Sequence, residues 1–435
     1  MTVTSAPIFR STEPDARRPF DNESMSDTGS DTHDSAAGPA RGPLAGLRVL
    51  DLGTVYAAPI TAMLLGDWGA DVIKVEHPKG DPARTHGLSK DGHGLWWKVI
   101  SRNKRTVTLN FGKPEGQDIL RRLVEQADVV IENFRPGVLE KWGLGPEDLQ
   151  KINPALVVLR VTGFGQTGPY ATRRAFGTLA EAMSGLAHQT GEADGPPTLP
   201  PFGLADGVAG LAGAYAVMLA LYHRATGDGA GQIIDLSLLE PLVGILGPGP
   251  SVYDQLGLIS GRHGNRSSNN APRNAYLTRD GRWVAISASA TSIAERVMRL
   301  VGRPDIAQEP WFPQAGERVR HADLIDPPVA QWIAERDYEE VSAAFQEAGA
   351  ALAPVYDIEQ LMNDEHVIER EVVTTIDDED LGPLKMQNLI FRMDRTPGSI
   401  RHGGRRLGQD TESVLDELLG LSGDKLDQLR DDGVV

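Results

Sequence analysis

One acidic residue, Asp206, has the sequence context of a reactive carboxylate. It follows the segment PPFG at 200–203 and precedes a long apolar stretch at 208–222. The prolines end the preceding element and Gly203 permits a tight turn, so the stretch predicts a helix with Asp206 at its start. An Asp there can cap free backbone N–H groups, and the helix dipole also keeps a carboxylate ionised. Asp206 is therefore a candidate N-cap and, equally, a candidate nucleophile.

The same stretch is apolar on nearly every face, which predicts a helix buried on all sides rather than a surface helix. No apolar run approaches the length of a membrane span, and the N-terminus has no apolar signal segment. We therefore expect a soluble protein of the cytoplasm that makes no membrane contact.

The composition excludes several classes of chemistry. The 435-residue chain contains no Cys, which excludes disulfides, thiolate nucleophiles and cysteine metal sites, and we expect no bound metal. Its 60 acidic and 43 basic residues give a net charge of -17, and such a surface repels nucleic acid and anionic lipid. A polyanionic ligand would therefore need a local concentration of Lys and Arg.

Short apolar stretches alternate with helical patterns through the first half of the chain. They predict strands at 47–52, 69–76, 105–111, 128–133 and 155–165. Such alternation is typical of a doubly wound α/β fold with a parallel sheet. From Gly261 onward the pattern of residue types changes. The strands and helices that we predict in this part of the chain indicate a second, smaller α+β domain.

The domain boundaries follow from these patterns. Residues 1–43 lack the large apolar side chains that a core needs, and we expect them to be disordered. We assign residues 44–235 to the large domain, which residues from about 395 to 435 complete. Residues 236–265 are a linker, and residues 266–394 form the small domain.

Polar and basic residues lie in loops that we place after the predicted strands. These loops are 77–84, 101–105, 133–141 and 163–174. Open α/β sheets bind ligands at the carboxyl ends of their strands, so the loops predict a basic rim for phosphates on an otherwise acidic protein. A nicotinamide dinucleotide is disfavoured, because LGTVYAAPI follows the first strand in place of a G-x-G-x-x-G fingerprint.

Several long motifs after Pro43 carry a family resemblance. They include RNKRTVTLNF, ADVVIENFRPGVLEKWGLG, GFGQTGPY and the closing ESVLDELLGLSGDKLDQLRDDGVV. Together they resemble the class III coenzyme A transferases, a family that also contains alpha-methylacyl-CoA racemase. The resemblance implies a Rossmann-like large domain, a smaller domain and an interlocked homodimer. It also implies an acyl-CoA and a carboxylic acid as substrates, with no permanently bound cofactor.

The resemblance places the family's nucleophilic aspartate on Asp206. It implies that this carboxylate attacks an acyl-CoA thioester, giving a mixed anhydride and free CoA thiolate. The thiolate then forms an aspartyl-CoA thioester, which an acceptor carboxylate resolves by repeating the exchange. Covalent catalysis of this kind divides one difficult reaction into easier steps, and a chain without Cys has few other covalent routes.

The resemblance also implies a set of coenzyme A contacts. The NKR triplet at 103–105 is expected at the phosphates, the NFR triplet at 133–135 around the adenine, and Lys141 at a phosphate. Tyr56 stands where formyl-CoA transferase has a glutamine, and His77 where the family often has Arg. The full set is Tyr56, Ala57, His77, Asn103, Lys104, Arg105, Asn133, Phe134, Arg135, Lys141, Arg174 and Phe176.

Two alternatives to CoA transfer stay open. The racemase branch has a His-Asp pair where this chain has Phe176 and Gly177. Proton transfer at an alpha carbon needs a base on each face, so transfer is favoured over racemisation or epimerisation. Gly177 also lacks the acid found in many transferases, for which Glu181 is a candidate substitute. An inactive CoA-binding protein is the second alternative.

The polar loop at 261–276 is expected to close over the acyl group. It is either an ordinary solvated loop or a site for the second carboxylate of a dicarboxylic acceptor. The residues that could hold such a carboxylate are Arg262, His263, Asn265 and Arg266.

Overall fold

The computed structural model describes residues 42–435. The tail predicted to be disordered, 1–43, lies outside these residues apart from its last two positions. The strands are β1 (Arg48–Asp51), β2 (Asp71–Glu76), β3 (Ser89–Lys90), β4 (His93–Gly94), β5 (Lys104–Thr108), β6 (Val129–Glu132), β7 (Val157–Thr162), β8 (Ile233–Ser237), β9 (Arg273–Leu277), β10 (Trp283–Ser287), β11 (Leu352–Pro354), β12 (Val373–Asp378) and β13 (Gly382–Gln387).

The helices of the first half surround the strands β1 to β8. They are α1 (Ala57–Asp67), α2 (Leu95–Ile100), α3 (Pro114–Val124), α4 (Pro146–Ile152), α5 (Gly177–Met183), α6 (Leu186–Gln189), α7 (Leu204–Thr226), α8 (Leu239–Ile245) and α9 (Gly249–Leu256). The helices of the second half are α10 (Thr291–Leu300), α11 (Pro304–Ala307), α12 (Ala315–Arg320), α13 (Ala322–Ala334), α14 (Tyr338–Glu347), α15 (Ile358–Asn363), α16 (Glu365–Glu369), α17 (Thr411–Leu419) and α18 (Asp424–Asp431).

Six strands form a parallel sheet in the order β5-β2-β1-β6-β7-β8. Four of them, β1, β2, β6 and β7, are buried along almost their whole length, as expected for parallel strands with helices on both faces. The strand order reverses between β1 and β6, so a crevice opens at their carboxyl ends, where such sheets bind ligands. The predicted α/β class with a parallel sheet is confirmed.

Each face of the sheet has its own hydrophobic core. One core joins the sheet to α3, α4 and the C-terminal helices α17 and α18, through residues such as Leu120, Leu415 and Leu426. The other joins it to α1, α7 and α8, through residues such as Ala62 and Leu242. The last residues of the chain therefore return to pack on the first sheet.

A third core lies within residues 271–350. It joins the antiparallel sheet β11-β10-β9 to helices α10, α11, α13 and α14. Two pairs of short strands, β3 with β4 and β12 with β13, form separate small sheets. The domain boundaries given above stay a prediction.

Helix α7 packs closely against α1 because α7 has glycines where the two helices meet. A Cβ atom on Gly210 would lie 2.5 Å from Cγ2 of Ile60, and one on Gly213 would lie 2.5 Å from Oγ1 of Thr61. The Thr61 hydroxyl donates to the Gly210 carbonyl at 3.0 Å. This close packing brings the first residues of α1 and α7 to one cleft.

The prediction that α7 is buried on every side is wrong. Residues such as Ala209 and Val217 pack into the sheet core, but the opposite face carries large apolar side chains that are 38% to 69% exposed. This exposed apolar face of α7 consists of Leu211, Tyr215, Met218, Leu219 and Tyr222. By length and composition α7 could also cross a membrane, contrary to the expectation from sequence, although core helices of soluble proteins meet the same test.

Candidate active site

Asp206 lies at the carboxyl edge of the sheet, in a cleft of about 700 Å³. It is the third residue of α7, and Gly203 rather than Asp206 is the N-cap residue. The cleft is bounded by the loops that follow β1, β6 and β7, and we call it the Asp206 cleft. Residues that line it include Thr54, Val55, Tyr56, Ala57, His86, Asn133, Thr162, Phe176, Gly177, Phe202, Gly203 and Asp206.

The surroundings of Asp206 change its acidity. Burial raises the pKa of Asp206 from 3.8 to about 6, and the negative charge of Glu181 adds to the shift. The backbone N–H groups of Asp206 and Ala57 act in the opposite direction and stabilise the charged form. The carboxylate is therefore ionised at neutral pH but partly desolvated, which suits a nucleophile.

Glu181 lies behind Asp206 on α5. It is only 1% exposed, and its Oε1 accepts a hydrogen bond from the N–H of Ala205 at 3.0 Å. This N–H belongs to the first turn of α7 and has no partner within the helix, so Glu181 supplies a cap that Asp206 does not. Glu181 is not among the residues that line the Asp206 cleft, and it is not placed to replace an acid at position 177.

Position 177, where this chain has Gly in place of an acid, lies very close to the Asp206 carboxylate. A Cβ atom on Gly177 would lie 2.2 Å from Oδ2 of Asp206, and a Cβ atom on Gly203 would lie 3.2 Å from the same oxygen. Real Cβ contacts do not reach 2.2 Å. Any side chain at position 177 would therefore move the Asp206 carboxylate away from its present position.

Two of the expected contacts, Tyr56 and Ala57, face Asp206 across the cleft. Ala57 is the first residue of α1, and Tyr56 is its N-cap residue. The Tyr56 ring packs against Trp96 with a centroid distance of 4.8 Å and edge-on against His86 at 5.2 Å. Burial and the charge of Asp206 raise the pKa of Tyr56, so its phenol stays neutral and remains a hydrogen-bond donor.

A second cavity, of about 280 Å³, lies at the carboxyl ends of β1, β2, β5 and β6 and shares Thr54 with the Asp206 cleft. We call it the Phe134 cavity. Phe134 and Trp142 line it, and their rings meet edge to face with centroids 6.2 Å apart. Aromatic walls with polar groups at strand ends suit a planar base.

Several expected contacts are exposed near these two cavities. His77 lines the Phe134 cavity, while Arg135 and Lys141 are exposed neighbours in sequence of Phe134 and Trp142. Phe176 lines the Asp206 cleft and is 72% exposed, and Arg174 is exposed just before it.

The NKR triplet does not lie at this edge of the sheet. The apolar residues before it form helix α2, and Lys104 is the first residue of β5. The loop at 101–105 therefore enters the sheet at its amino edge, which corrects the expectation that four basic loops share the carboxyl edge. The Lys104 ammonium is fully buried and donates to Oδ2 of Asp51 at 2.8 Å and to the Pro59 carbonyl at 2.7 Å.

The other two residues of the triplet are also held within the fold. The Asn103 amide donates to Oδ1 of Asp67 and to the Ser399 carbonyl, both at 2.9 Å. The Arg105 guanidinium pairs with Asp71 and with Glu417, both at 2.6 Å. Because these contacts occupy their polar groups, we leave all three residues out of the CoA site proposed below.

The loop at 261–276 does not meet Asp206 within the chain. Arg266 pairs with two aspartates at 2.8 and 2.6 Å, and Arg262 donates to two backbone carbonyls. The Asn265 carbonyl accepts from Arg273. His263 and Arg266 line a separate cavity of about 280 Å³.

Sequence reasoning missed several residues of the cleft. Thr54, His86 and Thr162 line it, and the Thr162 hydroxyl is buried without a hydrogen-bond partner in the described part of the chain. Thr162 ends β7, and its position at a strand end was the available signal. Within residues 42–435 no group of three or more His, Cys, Asp or Glu side chains could hold a metal ion.

Comparison of this chain with known proteins identifies the enzyme class to which its fold and cleft belong. The chain matches the model of CoA-transferase family III over residues 44–411. It is 40% identical over 390 residues to succinyl-CoA–D-citramalate CoA-transferase from Chloroflexus aurantiacus, covering 89% of this chain and 97% of that protein. It is 42% identical over 398 residues to the beta subunit of succinyl-CoA–L-malate CoA-transferase from the same organism, covering 90% and 98%. The chain belongs to CoA-transferase family III.

Solved structures agree with this assignment. A CaiB/BaiF family protein from Brucella suis superposes with a TM-score of 0.76 at 30% identity, covering 87% of this chain and all of that one. A protein from Mycobacterium tuberculosis superposes with a TM-score of 0.75 at 26% identity, covering 86% and 99%. The predicted family is confirmed, and the protein is a CoA-transferase. The two relatives named above are both CoA-transferases, which favours transfer over racemisation.

Proposed function

We propose that this enzyme transfers CoA from succinyl-CoA to a dicarboxylic acid of the hydroxylated kind, such as citramalate or malate, with Asp206 as the nucleophile. The donor and acceptor class are taken from the names of relatives that are 40% and 42% identical. The observation that carries the chemical part is the position of Asp206, a partly desolvated carboxylate that faces the first N–H of α1 in a cleft of about 700 Å³.

In the first half-reaction an Asp206 oxygen attacks the thioester carbonyl of succinyl-CoA. The C–S bond breaks, which gives a succinyl-aspartyl anhydride and CoA thiolate. The thiolate then attacks the Asp206 carbonyl carbon of the anhydride, forming an aspartyl-CoA thioester and releasing succinate. The Ala57 N–H favours negative charge at this place and can stabilise the oxyanions that form.

In the second half-reaction the acceptor carboxylate attacks the aspartyl-CoA thioester and expels the thiolate. This gives an acceptor-aspartyl anhydride. The thiolate attacks the acceptor's acyl carbon in that anhydride, so that acceptor-CoA forms and the Asp206 carboxylate is regenerated. Each step exchanges one acyl bond for another, and no proton, water or redox partner is consumed.

We place the nucleotide end of CoA in the Phe134 cavity, with its thiol end in the Asp206 cleft. Thr54 lines both cavities, so the two lie next to each other along the carboxyl edge of the sheet. Phe134 supplies an aromatic face for the adenine, and the exposed cations Arg135 and Lys141 and the ring of His77 are available to the phosphates. Tyr56, Arg174 and Phe176 border the reacting end.

We also propose that two copies of the chain form the interlocked homodimer. The exposed apolar face of α7 supports this, because five large apolar side chains at helical spacing would be covered by a second copy. The loop at 261–276, which does not meet Asp206 within one chain, would then be available to a partner's cleft. A cytoplasmic location and the domain boundaries given above complete the proposal.

Trapping tests the covalent step. The enzyme is incubated with succinyl-CoA, treated with hydroxylamine or borohydride, and digested for mass spectrometry. A modified peptide containing Asp206 is expected, and Asp206→Asn is expected to abolish both the modification and transfer to malate or citramalate. Glu181→Gln is the matched control, because it removes a nearby carboxylate that does not line the cleft and should retain the modification.

The acidity of Asp206 gives a second test on the same proteins. Because the attacking form is ionised, kcat/KM for succinyl-CoA is expected to fall as the pH drops below about 6. A pKa raised by folding stabilises the protein at low pH, and this contribution is lost as the pH rises through about 6. At pH 7 Asp206→Asn is therefore expected to increase the free energy of unfolding by about 3 kcal/mol, which separates lost activity from misfolding.

Other outcomes would contradict the proposal. Tight CoA binding with an unmodified Asp206 peptide for every donor, and no transfer, indicates an inactive CoA-binding protein. Solvent deuterium entering the alpha position of an acyl-CoA without CoA exchange indicates a racemase.

A further inference from the structure

The loop between β1 and α1 contains an unusual backbone conformation. Val55 has a φ of +67°, in the left-handed region that β-branched residues strongly avoid. Such a conformation persists only where the surrounding structure holds it, and it is commonly found at functional sites. Val55 lies in the wall of the Asp206 cleft.

Side chains from three other places hold this loop by its backbone. The Asn133 amide accepts a hydrogen bond from the Thr54 N–H and donates one to the Thr54 carbonyl, both at 2.8 Å. Oδ1 of Asp81 accepts from the Val55 N–H at 3.2 Å, and Oδ1 of Asp51 accepts from the Gly53 N–H at 3.0 Å. Three successive N–H groups are therefore each bound by a different side chain.

Asn133 holds the loop across the crevice of the sheet. It follows β6 directly, and Thr54 follows β1, so the two hydrogen bonds join the strands at which the strand order reverses. The Asn133 amide binds both the N–H and the C=O of Thr54, as the backbone of a neighbouring strand would. Its hydrogen-bonding oxygen and nitrogen are thus engaged within the protein and directed at the loop.

The loop in turn determines where helix α1 begins. Tyr56 and Ala57 follow Val55 immediately, and the Ala57 N–H stabilises the charged form of Asp206. If Val55 moved to an ordinary extended conformation, the direction of the chain into α1 would change. The first N–H of α1 would then no longer face the reacting carboxylate.

We propose that Asn133 is a positioning residue, which holds Val55 in its left-handed conformation and so directs the N-terminus of α1 at Asp206. This role differs from the CoA contact that the NFR motif predicts for Asn133. The catalytic part of the proposal rests on the proposed function. The structural part, the restraint of the loop, stands independently of it.

The experiment combines Asn133→Ala with Val55→Gly in the full-length enzyme. Asn133→Ala is expected to lower kcat for succinyl-CoA about 100-fold, because a misdirected N–H no longer stabilises the oxyanion, with KM changed less than about threefold. Glycine adopts positive φ without strain, so Val55→Gly removes the conformational cost that the Asn133 hydrogen bonds offset in the parent. In the double variant, Val55→Gly is expected to restore kcat about tenfold relative to Asn133→Ala.

Hydrogen exchange of the peptide containing residues 52–58 gives a readout that needs no turnover. Asn133→Ala is expected to speed exchange there. The matched control is Asn153→Ala, which also removes hydrogen bonds between a side-chain amide and the backbone, but outside the cleft. The Asn153 amide donates to two carbonyls at 3.1 and 2.8 Å and accepts from the Ala155 N–H at 3.1 Å. This variant should leave kcat and the exchange of the peptide containing residues 52–58 unchanged.

Three results would overturn the positioning role. The first is an Asn133→Ala enzyme with KM raised tenfold and kcat unchanged, which indicates direct contact with CoA. The second is unchanged exchange in residues 52–58, and the third is no rescue of kcat by Val55→Gly. If the parent enzyme transfers no CoA from succinyl-CoA, the proposed function fails, but the exchange measurement still decides whether Asn133 restrains the loop.

Discussion

Asn103 and Asn133 begin two similar triplets, NKR and NFR, at opposite edges of the same sheet. Both amides are held by hydrogen bonds to backbone groups. Asn103 precedes β5 and joins it to the returning C-terminal segment, whereas Asn133 follows β6 and supports the loop beside Asp206. The residue type is the same, but the direction of the adjoining strand decides whether the amide serves stability or the reaction.

The charged residues of the two triplets also differ, because those of NKR are paired within the fold and that of NFR is exposed. Lys104 and Arg105 are engaged with carboxylates of the fold at 2.8 and 2.6 Å. Arg135 is exposed beside the Phe134 cavity. We therefore expect substitutions at the amino edge to change stability, and substitutions at the carboxyl edge to change activity.

The largest effect is expected for Asn103→Ala. The Asn103 amide donates to Asp67 and to the Ser399 carbonyl and accepts from the Arg401 N–H. Losing one buried and two partly buried hydrogen bonds, at about 1 kcal/mol each, should lower the free energy of unfolding by about 3 kcal/mol in urea titrations. KM for succinyl-CoA should not change. A raised KM with unchanged stability would instead place Asn103 at the ligand and end the contrast with Asn133.

Gly177→Ala, in contrast to Asn103→Ala, is expected to lower activity and leave stability almost unchanged. Its Cβ atom would displace Oδ2 of Asp206, and a displacement of about 1 Å can lower kcat about 100-fold. The atom that moves is the end of a flexible side chain, so thermal unfolding should change little. Gly316→Ala in α12 is the control, because a Cβ atom there meets nothing within 4 Å. Full activity of Gly177→Ala would show that the observed position of Asp206 is not required.

The smallest of the three effects is expected for Arg135→Met. Removing one phosphate contact should raise KM for succinyl-CoA about tenfold, with kcat and thermal stability unchanged. The matched variant is Arg105→Met, which removes the same charge from partly exposed ion pairs with Asp71 and Glu417. It should lower the free energy of unfolding by less than about 1 kcal/mol and leave KM unchanged. Equal KM values for the parent and Arg135→Met would remove Arg135 from the CoA site.

Much of the fold follows from local patterns. The apolar strands and the helices between them predict a parallel α/β sheet because both faces of such strands are buried. The edge of the NKR triplet was predicted wrongly, because the loop at 101–105 follows helix α2 and leads into β5. A short apolar run such as 95–100 fits a buried strand and a buried helix equally well, so it did not show on which side of a strand the loop lies.

From the sequence alone we could infer that Asp206 lies near the start of a long apolar helix in an α/β protein that has no cysteine nucleophile. The sequence also carried the motifs of CoA-transferase family III, because these are continuous stretches of chain. Tertiary contacts, by contrast, raise the pKa of Asp206 to about 6, bring position 177 so close to Asp206 that a Cβ atom there would displace the carboxylate, and leave one face of α7 exposed. These properties depend on burial, charge and steric contact between segments that are far apart in sequence and meet only when the sheet has formed.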